Sequence, residues 1–188
     1  MRIIGGSLKG IILHPPKGLP VRPTTDRAKE SLFNILENNF DLSQTEVLDL
    51  FSGTGNIALE FASRGAPEVA AVDLHGKCIA WIKEMATKYQ FTKLLCTKSD
   101  AMSYLNKCTR TFDIIFADAP YAMKEIIQIP SMIHRNGLLK KGGWLIVEHE
   151  SNLDLSHEIG FFDKRVYGQS AFSFFRHVPA TPLKINQV

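Results

Sequence analysis

Asp118-Ala119-Pro120-Tyr121 is the stretch best equipped for chemistry. It brings together a carboxylate, a backbone carbonyl at Asp118 or Ala119, and an aromatic ring. An amine attached to an aromatic ring is a poor nucleophile, because its lone pair is spread into the ring. Two acceptors holding both amine hydrogens turn that lone pair toward an electrophile and offset the positive charge developing on nitrogen. Pro120 biases Ala119 toward extended geometry. Tyr121 can stack on a base, a contact worth about 1–3 kcal/mol. A base reaches such a pocket only by leaving its own stack. The same residues also describe an ordinary Asp-x-Pro turn with a packed tyrosine.

The second constellation is Asp49-Leu-Phe51-Ser-Gly53-Thr-Gly55. Gly53 and Gly55 allow a sharp bend and close approach of a ligand to the backbone. Gly53-x-Gly55-x-x-Ala58 fits a dinucleotide-binding turn, and Asp73 follows Gly55 by 18 residues, near the spacing of an acid that binds ribose hydroxyls. Asp49, however, lies near the turn, where a carboxylate repels a pyrophosphate and attracts a cation. A turn that only shapes the backbone is the plainest alternative. Asp73 and Asp100 fit ribose and adenine contacts respectively, or simply strand ends. Glu148 and His149 end a later strand, near the pocket or at the surface. The six histidines show no metal-ligand spacing, so no metal is assigned.

These residues need a frame. Residues 46–52 form a short apolar run suited to a buried strand. A helix carrying Ile57, Leu59, Phe61 and Ala62 follows, with Asn56 as its cap and Gly65 as its end. Strands are expected at 69–73, 94–99, 112–118 and 144–149, and helices at 75–89 and 101–108. Pro130 is expected to interrupt a helical region that resumes over 133–139. This alternation predicts a doubly wound α/β sheet, mostly parallel, with ligands at the carboxyl ends of its strands. Residues 161–167 and 171–177 flank Gly168-Gln169-Ser170 as a hairpin, so the last strand enters antiparallel. Ahead of this core, residues 2–13 suggest a β-hairpin around Gly5-Gly6-Ser7. A helix then opens near Thr24, Thr25 or Asp26, with Ala28, Leu32, Ile35 and Leu36 inward. The expected organisation is one domain: an extension over 1–40, a core over 41–177 and a loose tail over 178–188.

The chain has 188 residues, 45% hydrophobic and 22% charged, which suits one soluble globular domain. It has no membrane-length apolar run and no signal-like start. Cys78, Cys96 and Cys108 are odd in number and scattered, as expected of reduced cytosolic thiols. The net charge is only +3, but it is uneven. Residues 1–29 carry Arg2, Lys9, Lys17, Arg22, Arg27 and Lys29 against Asp26, a net of +5; the remainder carries 16 basic against 18 acidic residues. Such an arm suits a polyanion.

Val47-Leu-Asp-Leu-Phe-Ser-Gly-Thr-Gly55 is similar to the first motif of class I S-adenosylmethionine-dependent methyltransferases. Asp118-Ala-Pro-Tyr121 resembles the Asp-Pro-Pro-Tyr motif of those that modify planar amines, with Ala119 in place of the usual proline. Arg2-Ile-Ile-Gly-Gly-x-x-Lys9-Gly, Arg22-Pro-Thr24-x-Asp26-Arg27-x-Lys29-Glu30-x-Leu-Phe33 and Ser63-Arg-Gly-Ala66 complete the pattern. Together, over about residues 1–177, they resemble the bacterial family that methylates N2 of a guanine in 16S ribosomal RNA. The resemblance implies S-adenosylmethionine as donor, held by Asp49, Phe51, Gly53, Gly55, Asp73, Leu74, Asp100 and Ala101. It implies Asp118, Ala119, Pro120 and Tyr121 at the reacting amine. It also implies RNA contacts from Arg2, Lys9, Arg22, Thr24 and Arg27, with the small ribosomal subunit as partner, and a cytoplasmic, monomeric enzyme. An adenine-N6 methyltransferase and a non-catalytic RNA-binding relative are the alternatives.

Overall fold

The computed structural model describes residues 1–19 and 25–179. Arg22, Thr24 and nearly all of the expected tail therefore lie outside the described residues. Seven strands form one sheet: β1 (Glu46–Leu50), β2 (Glu68–Asp73), β3 (Leu94–Lys98), β4 (Phe112–Asp118), β5 (Leu139–Glu150), β6 (Phe161–Tyr167) and β7 (Ser170–Arg176). Their order is β3-β2-β1-β4-β5-β7-β6. The first five run parallel, and β7 pairs antiparallel with both β5 and β6. The chain thus winds outward from β1 in one direction and from β4 in the other. The crevice between those two strand ends is where such sheets bind ligands.

Helices cover both faces, so the central strands are apolar almost throughout. Val47 faces a cluster built with α1 (Asp26–Glu37), α2 (Asn56–Ser63) and α3 (Gly76–Lys88) through Phe33, Phe61 and Ile82. Its neighbour Leu48 faces the opposite cluster, with Leu105 of α4 (Ala101–Lys107) and Ile133 of α5 (Ile129–Arg135). Residue-by-residue alternation of this kind fixes the register, since a slip of one residue would exchange the two faces. No described helix is long and apolar enough to cross a membrane.

Three expectations change. The amino-terminal segment pairs antiparallel, with Ile3 N–H to the Ile11 carbonyl at 2.9 Å and Leu13 N–H to the Met1 carbonyl at 2.8 Å, but it does not extend into a two-stranded ladder. Arg2 and Ile12 make one isolated bridge, and a 3-10 turn occupies Gly6–Leu8. The reason is competition from α2: Ile4 N–H donates to Glu60 Oε2 at 3.0 Å, Leu8 N–H to Ser63 Oγ at 2.9 Å, and Ser63 Oγ–H to the Gly5 carbonyl at 2.7 Å. A Cβ on Gly6 would come within 1.9 Å of the Ser63 carbonyl oxygen. Gly6 is therefore required by the close approach to α2. Next, Asn56 is the first residue inside α2 rather than its cap; left-handed Gly55 precedes it. The capping acceptor comes from β1 instead, where Asp49 Oδ2 takes the Ala58 N–H at 3.1 Å. Finally, Pro130 sits in the first turn of α5, where its missing N–H costs nothing, so it starts the helix that it was expected to interrupt.

Candidate active site

β1 ends in an unusual loop. Phe51, Gly53 and Gly55 have φ of 63°, 54° and 75°. Phe51 is the notable one, because a bulky side chain there costs on the order of 1–3 kcal/mol. Packing and hydrogen bonds hold the loop in place. Ser52 N–H reaches the Val72 carbonyl at 2.9 Å, and the Trp81 indole N–H reaches the Thr54 carbonyl at 3.1 Å. Asp73 Oδ2 accepts the Gly53 N–H at 2.8 Å while Oδ1 accepts the His75 N–H at 2.7 Å. The strand-end acid thus ties the glycine loop to the start of α3. An ionised carboxylate offers about four acceptor sites, so Asp73 retains capacity for a ligand hydroxyl.

A cavity of about 470 Å³ opens between the ends of β1 and β4, a size that suits a small-molecule ligand. Asp49, Phe51, Gly53, Asp73, Leu74, Asp100 and Ala101 line one part of it. Asp118, Ala119, Pro120 and Tyr121 line another. Gly55 is not among the lining residues; a Cβ there would meet Ile82 Cγ1 at 2.8 Å. That glycine is required by α3 packing. Asp49 is buried, and burial pushes its carboxyl up to about 8. Asp100 is exposed and caps α4 through the Ser103 N–H. No lysine or arginine lines the cavity among the described residues.

The end of the cavity at Asp118 is built by four elements. Asp118 closes β4, and Ala119 is buried beneath it. Tyr121 is exposed at 38%, and its hydroxyl hydrogen-bonds to Ser170 Oγ at 2.8 Å. Tyr167 and Ser170, from either side of the β6–β7 turn, also line the cavity, and the Tyr167 hydroxyl bonds to Ser31 of α1. The β6–β7 turn is therefore a wall of the site, pinned to α1 on one side and to Tyr121 on the other. The sequence reading gave it no role. Glu148 lines the cavity as well, whereas His149 is buried and bonded to Ser173 Oγ at 2.7 Å. Burial lowers the tendency of His149 to take a proton.

The basic arm divides in two. Arg2, Lys9, Lys17 and Arg27 are exposed, and Arg2 lies 3.4 Å from Asp26. Lys29 is not part of this surface. Its Nζ is fully buried, 3.1 Å from Glu60 Oε2, and donates to Asn56 Oδ1 at 2.8 Å and to the Arg2 carbonyl at 2.6 Å. Burial lowers the Lys29 pKa against the pull of Glu60. Counting charge over residues 1–29 overstates the exposed positive potential, because the partner of Lys29 lies outside that window. Thr25 and Ala28 of the α1 start line the cavity, so the arm reaches its rim.

Comparison with known proteins places this arrangement. YlbH of Bacillus subtilis (strain 168), provisionally named an rRNA methyltransferase, is 31% identical over 94% of this chain and 98% of its own. Ribosomal RNA small subunit methyltransferase D of Escherichia coli (strain K12) is 31% identical over 80% of this chain and 75% of its own. Among solved structures, yhhF of Escherichia coli, provisionally described as a methyltransferase, superposes with a TM-score of 0.83 at 27% identity, covering 95% of this chain and 99% of that one. The sheet order and the strand-end cavity are those of the class I methyltransferase fold. With residues 1–176 matched, the chain belongs to the family described as conserved hypothetical protein 95.

Proposed function

We propose that this protein transfers a methyl group from S-adenosylmethionine to the exocyclic N2 amine of a guanine in small-subunit ribosomal RNA. The observation that carries this reading is one continuous cavity with an acidic, phosphate-averse end and an amine-binding end. Asp73 and Asp100 without a described lysine or arginine suit a cationic donor that has no phosphate, and argue against a dinucleotide. The names of the relatives from E. coli and B. subtilis support ribosomal RNA as substrate.

The bound donor supplies an electrophilic methyl group on sulfur. The residues of the chain do the rest. Asp73 and Asp100 hold the hydroxyl-bearing and amino-bearing parts of the nucleoside, and Phe51 and Leu74 supply apolar contact. Asp118 and the Ala119 carbonyl each accept an amine hydrogen, keeping the base edge-on to them with its lone pair toward the methyl. Tyr121 stacks on the flipped base. The amine proton becomes acidic as the methyl arrives and leaves through the Asp118 hydrogen bond to the carboxylate and then to water, so no strong base is required. The exposed Arg2, Lys9 and Arg27 offer cations to phosphates flanking the flipped base.

The test is incubation with labelled S-adenosylmethionine and small subunits that lack the modification, followed by mapping of the label. Label on N2 of one guanine is expected. Label on an adenine, or no transfer while RNA and donor both bind, would refute the reading. Asp118→Ala should reduce turnover by on the order of 10²–10³ with donor affinity retained.

A further inference from the structure

β4 and β5 are parallel neighbours, and their register sets Asp118 directly beside Glu148. Strands in a sheet are about 4.8 Å apart, so the two carboxylates project from adjacent backbone positions. They share a face. Two residues earlier, Phe116 and Ile146 both belong to the apolar cluster under α1, α2 and α3. Two-residue periodicity carries Asp118 and Glu148 onto that same side, at the carboxyl edge where the cavity opens. Glu148 is only 5% exposed, yet it lines the cavity with Asp118, Tyr121 and Ser170. The position is rigid. On its other side Glu148 pairs with Phe172, whose ring packs against Phe116 and Tyr167 with centroids at 6.2 Å and 5.4 Å.

An amine needs only one set of acceptors, and Asp118 with the neighbouring carbonyl provides it. A second carboxylate beside the first can serve a second donor on the same edge of the base. Guanine has one: its ring N1–H adjoins the N2 amine. At the corresponding place beside its amine, adenine has a bare nitrogen acceptor. An ionised carboxylate accepts hydrogen bonds and cannot donate them.

We infer that Glu148 is the residue that selects guanine, by accepting the N1–H while Asp118 and the Ala119 carbonyl hold the N2 amine. This rests on the activity proposed above and adds to it the group that discriminates among bases. A carboxylate facing N1 binds guanine and repels a base whose N1 carries a lone pair. Rejection therefore comes from a buried charge left facing an acceptor, which discriminates far better than loss of an apolar contact.

The test uses small subunits reconstituted with either guanine or 2-aminopurine at the modified position. 2-Aminopurine keeps the amine at carbon 2 but has an acceptor at N1. In single-turnover assays the wild-type protein should prefer guanine by about 10²-fold. Glu148→Gln should lose most transfer to guanine and shrink or reverse that preference, because its amide N–H can donate to N1 of 2-aminopurine. Donor affinity should stay unchanged in the variant. A wild-type protein that methylates both bases equally would overturn the inference, whatever the variant does. So would a Glu148→Gln protein that loses activity by the same factor on both. Wild-type failure to label guanine-bearing subunits would overturn the proposed activity itself, and the inference with it, which separates the two failures.

Discussion

Replacing Lys29 with methionine tests how the amino-terminal arm is fastened to the catalytic core. Both Lys29 and Glu60 side chains are fully buried, and one ammonium serves Glu60, Asn56 and the Arg2 carbonyl. Methionine fills the space but removes the charge and all three hydrogen bonds. Breaking a buried pair typically costs about 3–5 kcal/mol, because the remaining ion stays in low dielectric. Here Glu60 keeps two partners, the Ile4 N–H at 3.0 Å and Arg64 Nε at 2.9 Å. The cost should therefore fall at the lower end, about 3 kcal/mol. For a domain of this size that lowers Tm by about 6–12 °C. Urea unfolding of the two proteins measures it directly. A double-mutant cycle with Glu60→Gln should show coupling above about 1 kcal/mol. Glutamine can still accept from Ile4, so the cycle isolates the ionic part. Loss of less than about 1 kcal/mol in Lys29→Met, within the range of exposed pairs, would mean that water reaches the ammonium and that the buried hub does not hold the arm.

Asp49 gives a pH prediction. Burial raises its folded pKa to about 8, above the unfolded value of about 4, so the folded state holds the extra proton between them. Its contribution to stability is greatest below about pH 4 and falls as pH rises to about 8, by on the order of 1 kcal/mol per unit. Asp49→Asn should therefore gain on wild type in urea melts between pH 5 and pH 8; parallel curves would remove the shifted carboxyl. The Tyr121–Ser170 hydrogen bond predicts that Tyr121→Phe and Ser170→Ala each lower turnover by about 2- to 10-fold, and that the double variant is no worse than either single one; additive losses would show that the two act separately. Arg27→Ala should weaken binding to small subunits and reduce the log–log salt slope by about 1, with donor affinity unchanged by calorimetry. An unchanged slope would exclude a phosphate contact.

Much of this molecule is legible in the sequence, for a local reason. Parallel strands buried on both faces are short continuous apolar runs, so β1 to β4 appear within a residue or two of their places, while β5 begins at Leu139, five residues before the expected start. The chemistry falls at strand ends, where apolar runs stop at Asp73 and Asp118, and the structure sets both acids on one cavity. What sequence reading misses is non-local. The hairpin expected over residues 2–13 keeps its cross-strand bonds between Ile3 and Ile11 and between Leu13 and Met1, but gives Ile4 and Leu8 to Glu60 and Ser63, more than 50 residues away. The cap expected from Asn56 comes from Asp49 across the loop. Lys29 looks like one more arm cation until Glu60 is found beside it. Tyr167 and Ser170 join the site only through the antiparallel insertion of β7 between β5 and β6, while Glu148 reaches it through the parallel β4–β5 pairing.

That insertion bears on substrate choice. The glycine-loop end of the cavity is built by β1, β2, the β3–α4 junction and their loops, over residues 49–101. The acceptor end draws on β4, β5 and the β6–β7 turn, with Ser31 of α1 closing the ring through Tyr167. A change at the β6–β7 turn can therefore reshape the acceptor pocket without disturbing the glycine loop. The same separation explains why Ala119 can stand beneath Asp118. Buried against the α4–α5 side of the sheet, it is held by packing directly after the β4–β5 pairing that ends at Asp118 and Glu148. Rigidity that a proline would supply covalently is supplied here by a strand locked between two neighbours.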